Sequence, residues 1–97
     1  MITALLELRI KPESVDGALG VITEVLAATR AREGNLGVEV LVDAADESHI
    51  TIVEHWESIE ADNAYRAWRA TDEGKSALGT IVASAPVLTV NTTAATL

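Results

Sequence analysis

The chain has no cysteine, no phenylalanine, few aromatic residues of any kind and few basic ones. Without cysteine there are no disulfides, thiolate metal sites or thiol nucleophiles, which fits a reducing compartment. Lys and Arg number 7 against 15 Asp and Glu, a formal charge of −8, so phosphate backbones and anionic membranes are both repelled. Neither nucleic acid nor a membrane is expected as a partner. No run approaches the roughly 18 uninterrupted apolar residues that a membrane span needs. The opening "MITALLELRIKPE" has its apolar run broken by Glu7 and Arg9 and lacks a basic leader, so no signal peptide is expected and the default location is the cytoplasm.

What is present is an aliphatic interior. The 97 residues suit one domain, 1–97, with about 92–97 as a tail. Ile2, Ala4, Leu6, Leu8 and Ile10 alternate onto one face of a first strand, which Pro12 ends. Val15, Ala18, Leu19, Ile22, Val25 and Leu26 then recur at helical spacing, and Gly34 stops the helix. "LGVEVLVD" (36–43) and "HITIVEHW" (49–56) form a hairpin around the polar turn "AADES" (44–48). Ser58 is placed as an N-cap for a helix through about Ala70, a second helical piece is expected over Lys75–Ser84, and "VLTVNT" (87–92) makes the last strand. The order β-α-β-β-α-β specifies an α+β, ferredoxin-like fold: a four-stranded antiparallel sheet with helices on one face. The other face presents Leu5, Glu7, Arg9, Glu39, Leu41, Thr51, Val53 and His55, a mixture of aliphatics and charges. A chain of this size buries only about 60–65% of its extended surface, so a homodimer closed through that open face is expected. His55 falls in the dimer interior, and His49, at the start of a strand, in solvent. Two separated histidines without cysteine do not make a metal site.

All the aromatics lie in "HWESIEADNAYRAWR" (55–69). Ala61, Ala64, Tyr65 and Trp68 share a helical stripe facing the sheet, and Trp56 ends the third strand on the helix-facing side. The three rings therefore converge on one volume between sheet and helix. They are either plain core or the wall of a mostly apolar ligand pocket, with the small alanines leaving room beside them. Glu54 has the same strand parity as Trp56, which places a carboxylate on the helix side. A buried carboxylate needs a partner, and Tyr65 or an arginine of the second helix can supply it. Glu54 is then either a general base or hydrogen-bond anchor, or half of a structural ion pair. Asp62–Arg66 and Arg69–Glu73 are spaced as solvated i,i+4 pairs, while Asn63 or Arg69 can reach a pocket mouth. Phosphate-binding and nucleophile-elbow motifs are absent, so no nucleotide or flavin cofactor is indicated.

The segments "ELRIKPES" (7–14), "AATRAREGNLGVEV" (27–40), "VEHWES" (53–58) and "AYRAWR" (64–69) resemble, in order, the antibiotic biosynthesis monooxygenase domains of the dimeric α+β barrel group. The resemblance covers nearly the whole chain and implies a homodimer whose sheets close into a barrel, with a cavity in each subunit between sheet and helices. It implies oxidation of anthrone-type or quinol substrates by molecular oxygen without a cofactor, although other members degrade haem and many have no assigned activity. Trp56 matches the family's strand-end tryptophan, and Trp68 is similar in place to its cavity-lining tryptophan. The haem-degrading branch carries a histidine where this chain has Ser76, Ala77, Leu78 and Gly79, and a strand-1 asparagine where it has Leu5, Leu6, Glu7 and Leu8. The histidine of the quinol-oxidising branch is missing from "AYRAWRATDEGK". The expected activity is cofactor-independent oxygenation of a flat phenolic, anthrone-like or quinol-type molecule. Glu54, Tyr65 and Trp68 are its catalytic candidates, and Trp56, Asn63 and Arg69 its substrate-binding ones. The alternative is a non-catalytic dimer that binds a small aromatic molecule or serves as a stress or accessory protein.

Overall fold

Alternation in the first ten residues sets the middle of the sheet. In the computed structural model, which describes residues 1–97, β1 (Ile2–Arg9) pairs antiparallel with β3 (Asp46–Trp56) on one side and β4 (Val87–Thr92) on the other. β2 (Asn35–Asp43) completes the order β2-β3-β1-β4. Helices α1 (Val15–Arg30) and α2 (Ile59–Arg69) pack on the face formed by Ile2, Ala4, Leu8, Ile10, Ile50, Ile52 and Trp56, all buried. This is the four-stranded, helix-covered antiparallel sheet that the sequence pattern specifies. No helix is long and apolar enough to cross a membrane.

The buried side chains form two separate clusters. One gathers Leu8, Ile10, Ala18, Ile22, Leu26, Ile50, Ile52 and Ile81 under α1. The other joins Ile2, Ala4, Trp56 and Tyr65 under α2. Apolar surface removed from water, worth about 25 cal/mol per Å², drives each cluster, yet the two do not meet in a single core. The gap between them holds the candidate site.

Several local expectations change. Leu19 is exposed, and Thr29 takes a buried place on α1, because the stripe follows Ala18, Ile22, Leu26 and Thr29. On α2 the buried residues are Asp62 and Tyr65, while Ala64 faces solvent. The helix is rotated so that Asp62 and Arg66 turn toward Glu54 on the sheet. Leu36 is exposed because a bulge between Asn35 and Gly37 turns it outward, stabilised by the Gly37 N–H donating to Asn35 Oδ1 at 3.0 Å. The hairpin turn is tighter than "AADES" suggests, since β3 already begins at Asp46. The second helical piece over 75–84 is only a 3₁₀ turn, Ala77–Thr80. Gly79 and the β-branched Thr80, Ile81 and Val82 are poor helix formers. The end of β1 also draws this segment into extended pairing, with the Lys11 N–H donating to Ile81 O at 2.9 Å and the Ala83 N–H to Arg9 O at 2.7 Å.

The open face carries Leu5, Val53, Leu41 and Val87 among paired polar groups. His55 contacts Glu39 Oε1 and Thr3 Oγ1 through its two ring nitrogens. His49 is not free in solvent: it bridges Asp43 Oδ2 at 2.9 Å and Glu7 Oε1 at 3.0 Å, next to an Arg9–Asp46 pair.

Candidate functional site

Strand parity places Glu54 among the helix-facing residues of β3, between Ile52 and Trp56, and the side chain is almost wholly buried. Its Oε1 accepts from the Trp56 indole N–H at 3.2 Å and from Arg66 Nη2. Arg66 also donates to Asp62 Oδ1 at 3.0 Å, so one guanidinium bridges two buried carboxylates. The spacing that reads as a solvated i,i+4 pair is thus an interior network, closed by a third member on the sheet. Arg66 Nε stays buried without a hydrogen-bond partner, and Glu54 Oε2 makes no hydrogen bond. Both Oε1 bonds hold the carboxylate in one orientation and leave its second oxygen free to accept.

One turn further along α2, Tyr65 and Arg69 face α1. Tyr65 Oη shares a 2.8 Å hydrogen bond with Thr29 Oγ1 and accepts from Arg69 Nε at 2.7 Å. Arg69 Nη2 donates to Val25 O at 3.0 Å and to Thr29 Oγ1 at 3.1 Å, and its Nη1 donates to Gly74 O at 3.1 Å. The anticipated Arg69–Glu73 pair does not form. A polar strut therefore ties the two helices together where their apolar clusters leave a gap. Gly74 must be glycine for this: a Cβ there would lie 1.9 Å from Trp68 O. Gly34 is equally constrained, with φ +84° and a Cβ position 2.5 Å from the Ala61 side chain.

The gap is a cavity of about 210 Å³. Leu6 and Ile52 form its floor and Leu26, Leu78 and Pro86 its apolar sides, with Glu54, Tyr65, Arg66 and Arg69 supplying the polar groups. A second hollow of about 450 Å³ lies outside it, against Val21, Glu24 and Ala28 of α1. Val25, Arg69 and Ser76 border both, so Arg69 stands at the boundary. No group of three or more His, Asp or Glu side chains is arranged to hold a metal ion.

Of the six residues singled out from sequence, Glu54, Tyr65 and Arg69 meet at the inner cavity. Trp68 lines the outer hollow instead, between the guanidinium groups of Arg32 and Arg69 at 4.5 and 4.8 Å from its ring centre. Trp56 is fully buried behind Glu54, its ring 5.0 Å from that of Tyr65, so it positions the carboxylate rather than touching the cavity. Asn63 is exposed and borders neither space. The rings do form one row, Trp56–Tyr65–Trp68, with the last pair 6.3 Å apart. Sequence reasoning took Asp62 and Arg66 for a solvated pair, although it allowed an arginine of α2 as the partner of Glu54, and it passed over Thr29. The available signal was Thr29, a hydroxyl set in an otherwise apolar helical stripe.

No curated protein matches this chain. Its fold is shared with many solved structures. SnoaB from Streptomyces nogalater, described as a cofactor-independent oxygenase, superimposes with a TM-score of 0.83 over 99% of this chain and 95% of its own, at 14% identity. A structure described as an antibiotic biosynthesis monooxygenase gives 0.80 over 98% and 100%, at 20% identity. A conserved protein from Methanosarcina mazei gives 0.78 over 93% and 89%, at 16% identity. The sequence profile described as "Antibiotic biosynthesis monooxygenase" matches residues 1–78, which span β1 through α2 and include Glu54, Tyr65 and Arg69. The chain therefore belongs to the antibiotic biosynthesis monooxygenase family.

Proposed function

We propose that this protein is a cofactor-independent oxygenase, with Glu54 as the general base for a flat, phenolic substrate held in the inner cavity. The observation that carries this reading is the free Oε2 of a carboxylate whose other oxygen is fixed by Trp56 and Arg66. Such an oxygen is an oriented proton acceptor at the wall of a half-open, partly apolar cavity. It takes a proton from the hydroxyl, or from the acidic CH of an anthrone, and leaves an electron-rich anion delocalised over the ring. That anion reduces molecular oxygen, a C–O bond forms, and loss of water yields the carbonyl, with one oxygen atom in each product. Tyr65 and Arg69 stabilise the anion by donated hydrogen bonds and charge. Trp68 borders the outer hollow and guides the ring inward.

The working unit is proposed to be a homodimer closed through the open sheet face. The exposed Leu41 and Val87, alternating with paired charges, support this.

Oxygen consumption with dithranol, an anthrone, and with a reduced naphthoquinone tests the activity. A saturable rate above autoxidation is expected, falling about 10²-fold or more in Glu54→Gln, as for loss of a general base. No rate above background with either compound refutes the reading.

A further inference from the structure

Arg69 is a cation at a cavity wall with no carboxylate within ion-pairing distance. The protein's salt bridges use Arg9, His49, His55, Arg66 and Lys75, and none includes Arg69. Its Nε–H, both Nη2 hydrogens and one Nη1 hydrogen are directed at neutral oxygens, of Tyr65, Val25, Thr29 and Gly74. A guanidinium has five N–H donors, so one Nη1–H is uncommitted. Four bonds hold the group still, and none of them neutralises it. In a chain with a formal charge of −8, an immobilised, half-buried cation stacked on Tyr65 and Trp68 without a carboxylate partner is conspicuous.

Resting on the reading of the cavity above, we propose that its ligand is an aromatic acid, bound with its carboxylate on Arg69. Three features set the class. The Leu6, Val25, Leu26, Ile52 and Leu78 walls call for an apolar ring. The volume of about 210 Å³ falls below the ~300–1,000 Å³ of drug-sized sites, which limits the buried part to one or two rings. The charges then orient it. Arg66 bridges Glu54 and Asp62, leaving that trio with a net negative charge, which repels an anion. The carboxylate is thus driven to the Arg69 end and a hydroxyl toward Glu54 Oε2. Because Arg69 also borders the outer hollow, the charged end stays near solvent and is spared full desolvation. At physiological salt the protein's overall negative field is screened beyond about 8 Å, and at the mouth Arg69 and Lys75 stand against Glu24 and Glu73, so direct contact with Arg69 decides where an anion sits.

Calorimetric titration under argon separates this from turnover. The probes are a hydroxynaphthoate with its two groups at opposite ends and the neutral hydroxymethyl naphthol of the same shape. The acid should bind at least about tenfold more tightly to the unaltered protein, as a charge-assisted hydrogen bond implies. That preference should vanish in Arg69→Gln and persist in Arg30→Gln, a control on an exposed arginine outside both hollows. Equal affinities, no binding of either probe, or a preference unchanged in Arg69→Gln overturns the proposal. Arg69 also joins the helices, so if Arg69→Gln does not fold, the acid-to-alcohol ratio of the unaltered protein decides alone, and a ratio near one refutes it. Oxygen uptake from neutral phenols with no preference for acids would sink this inference and spare the oxygenase reading. Tight acid binding with no oxygen uptake would do the reverse.

Discussion

Two arginines on one helix, Arg66 and Arg69, end in opposite electrostatic settings. Arg66 is claimed by Glu54 and Asp62, whereas Arg69 is surrounded by neutral oxygens. Side-chain spacing along α2 cannot distinguish them, since both sit at i,i+4 from an acidic residue on one side or the other. The strand opposite decides. The alternation of β3 made Glu54 legible as an inward carboxylate, and an arginine of α2 was foreseeable as its partner. That Asp62 would be buried with them depended on the rotation of α2, which residue spacing leaves free. His49 illustrates the same point on the open face. Hydrogen bonds donated by its ring to Asp43 and then Glu7 hold the pKa of His49 above the ordinary 6.5, while His49 in turn lowers that of Asp43 below 3.8. Asp46 is lowered as well, chiefly by Ser48. The His49 contribution to stability is fully present below pH 6.5 and is lost as pH rises through the raised folded value. The aspartate contributions are present above pH 3.8 and are lost as pH falls through their lowered values. His49→Gln should therefore lower the melting temperature more at about pH 5.5 than at about pH 8.5. Equal shifts at the two pH values would contradict the assignment.

At the scale of elements, α2 is the best-signalled segment. Ser58 caps it, its Oγ accepting from the Ala61 N–H at 3.1 Å, as a serine ahead of an acidic first turn leads one to expect. Ser58→Ala should cost about 1 kcal/mol in chemical denaturation, the usual value for a lost N-cap. A change of a few tenths or less would mean that α2 is held by its interior contacts rather than by its start. The region after α2 was the least legible. "KSALGTIVAS" offers both a helical and an extended pattern, and pairing with the end of β1 decides between them. That choice is made by tertiary contact, which is why Leu78 and Pro86 entered the cavity wall unannounced.

At the scale of the whole molecule, element order and apolar periodicity were enough to give the four strands and two helices, because β1 and the α1 stripe carry clear periods, although β2 is interrupted by its bulge and β4 is exposed throughout. The cavity was not legible to the same degree. Its existence depends on two clusters failing to meet, a volume effect that residue types alone do not report. The mixed open face has no covering layer, and Leu41 and Val87 are exposed on it. In the proposed dimer Leu41 is buried by the partner, and Leu41→Arg should shift the sedimentation coefficient from dimer to monomer. An unchanged dimer would place the interface elsewhere.

The divided interior has one more consequence. An occupant of the gap touches Leu26 and Ile52 of one cluster and Tyr65 of the other, and so supplies the apolar continuity that the chain itself lacks. Occupancy and folding are then thermodynamically linked. A ligand in the gap should therefore raise the melting temperature, because in its absence α1 and α2 are joined at this point by the Tyr65–Arg69–Thr29 strut alone.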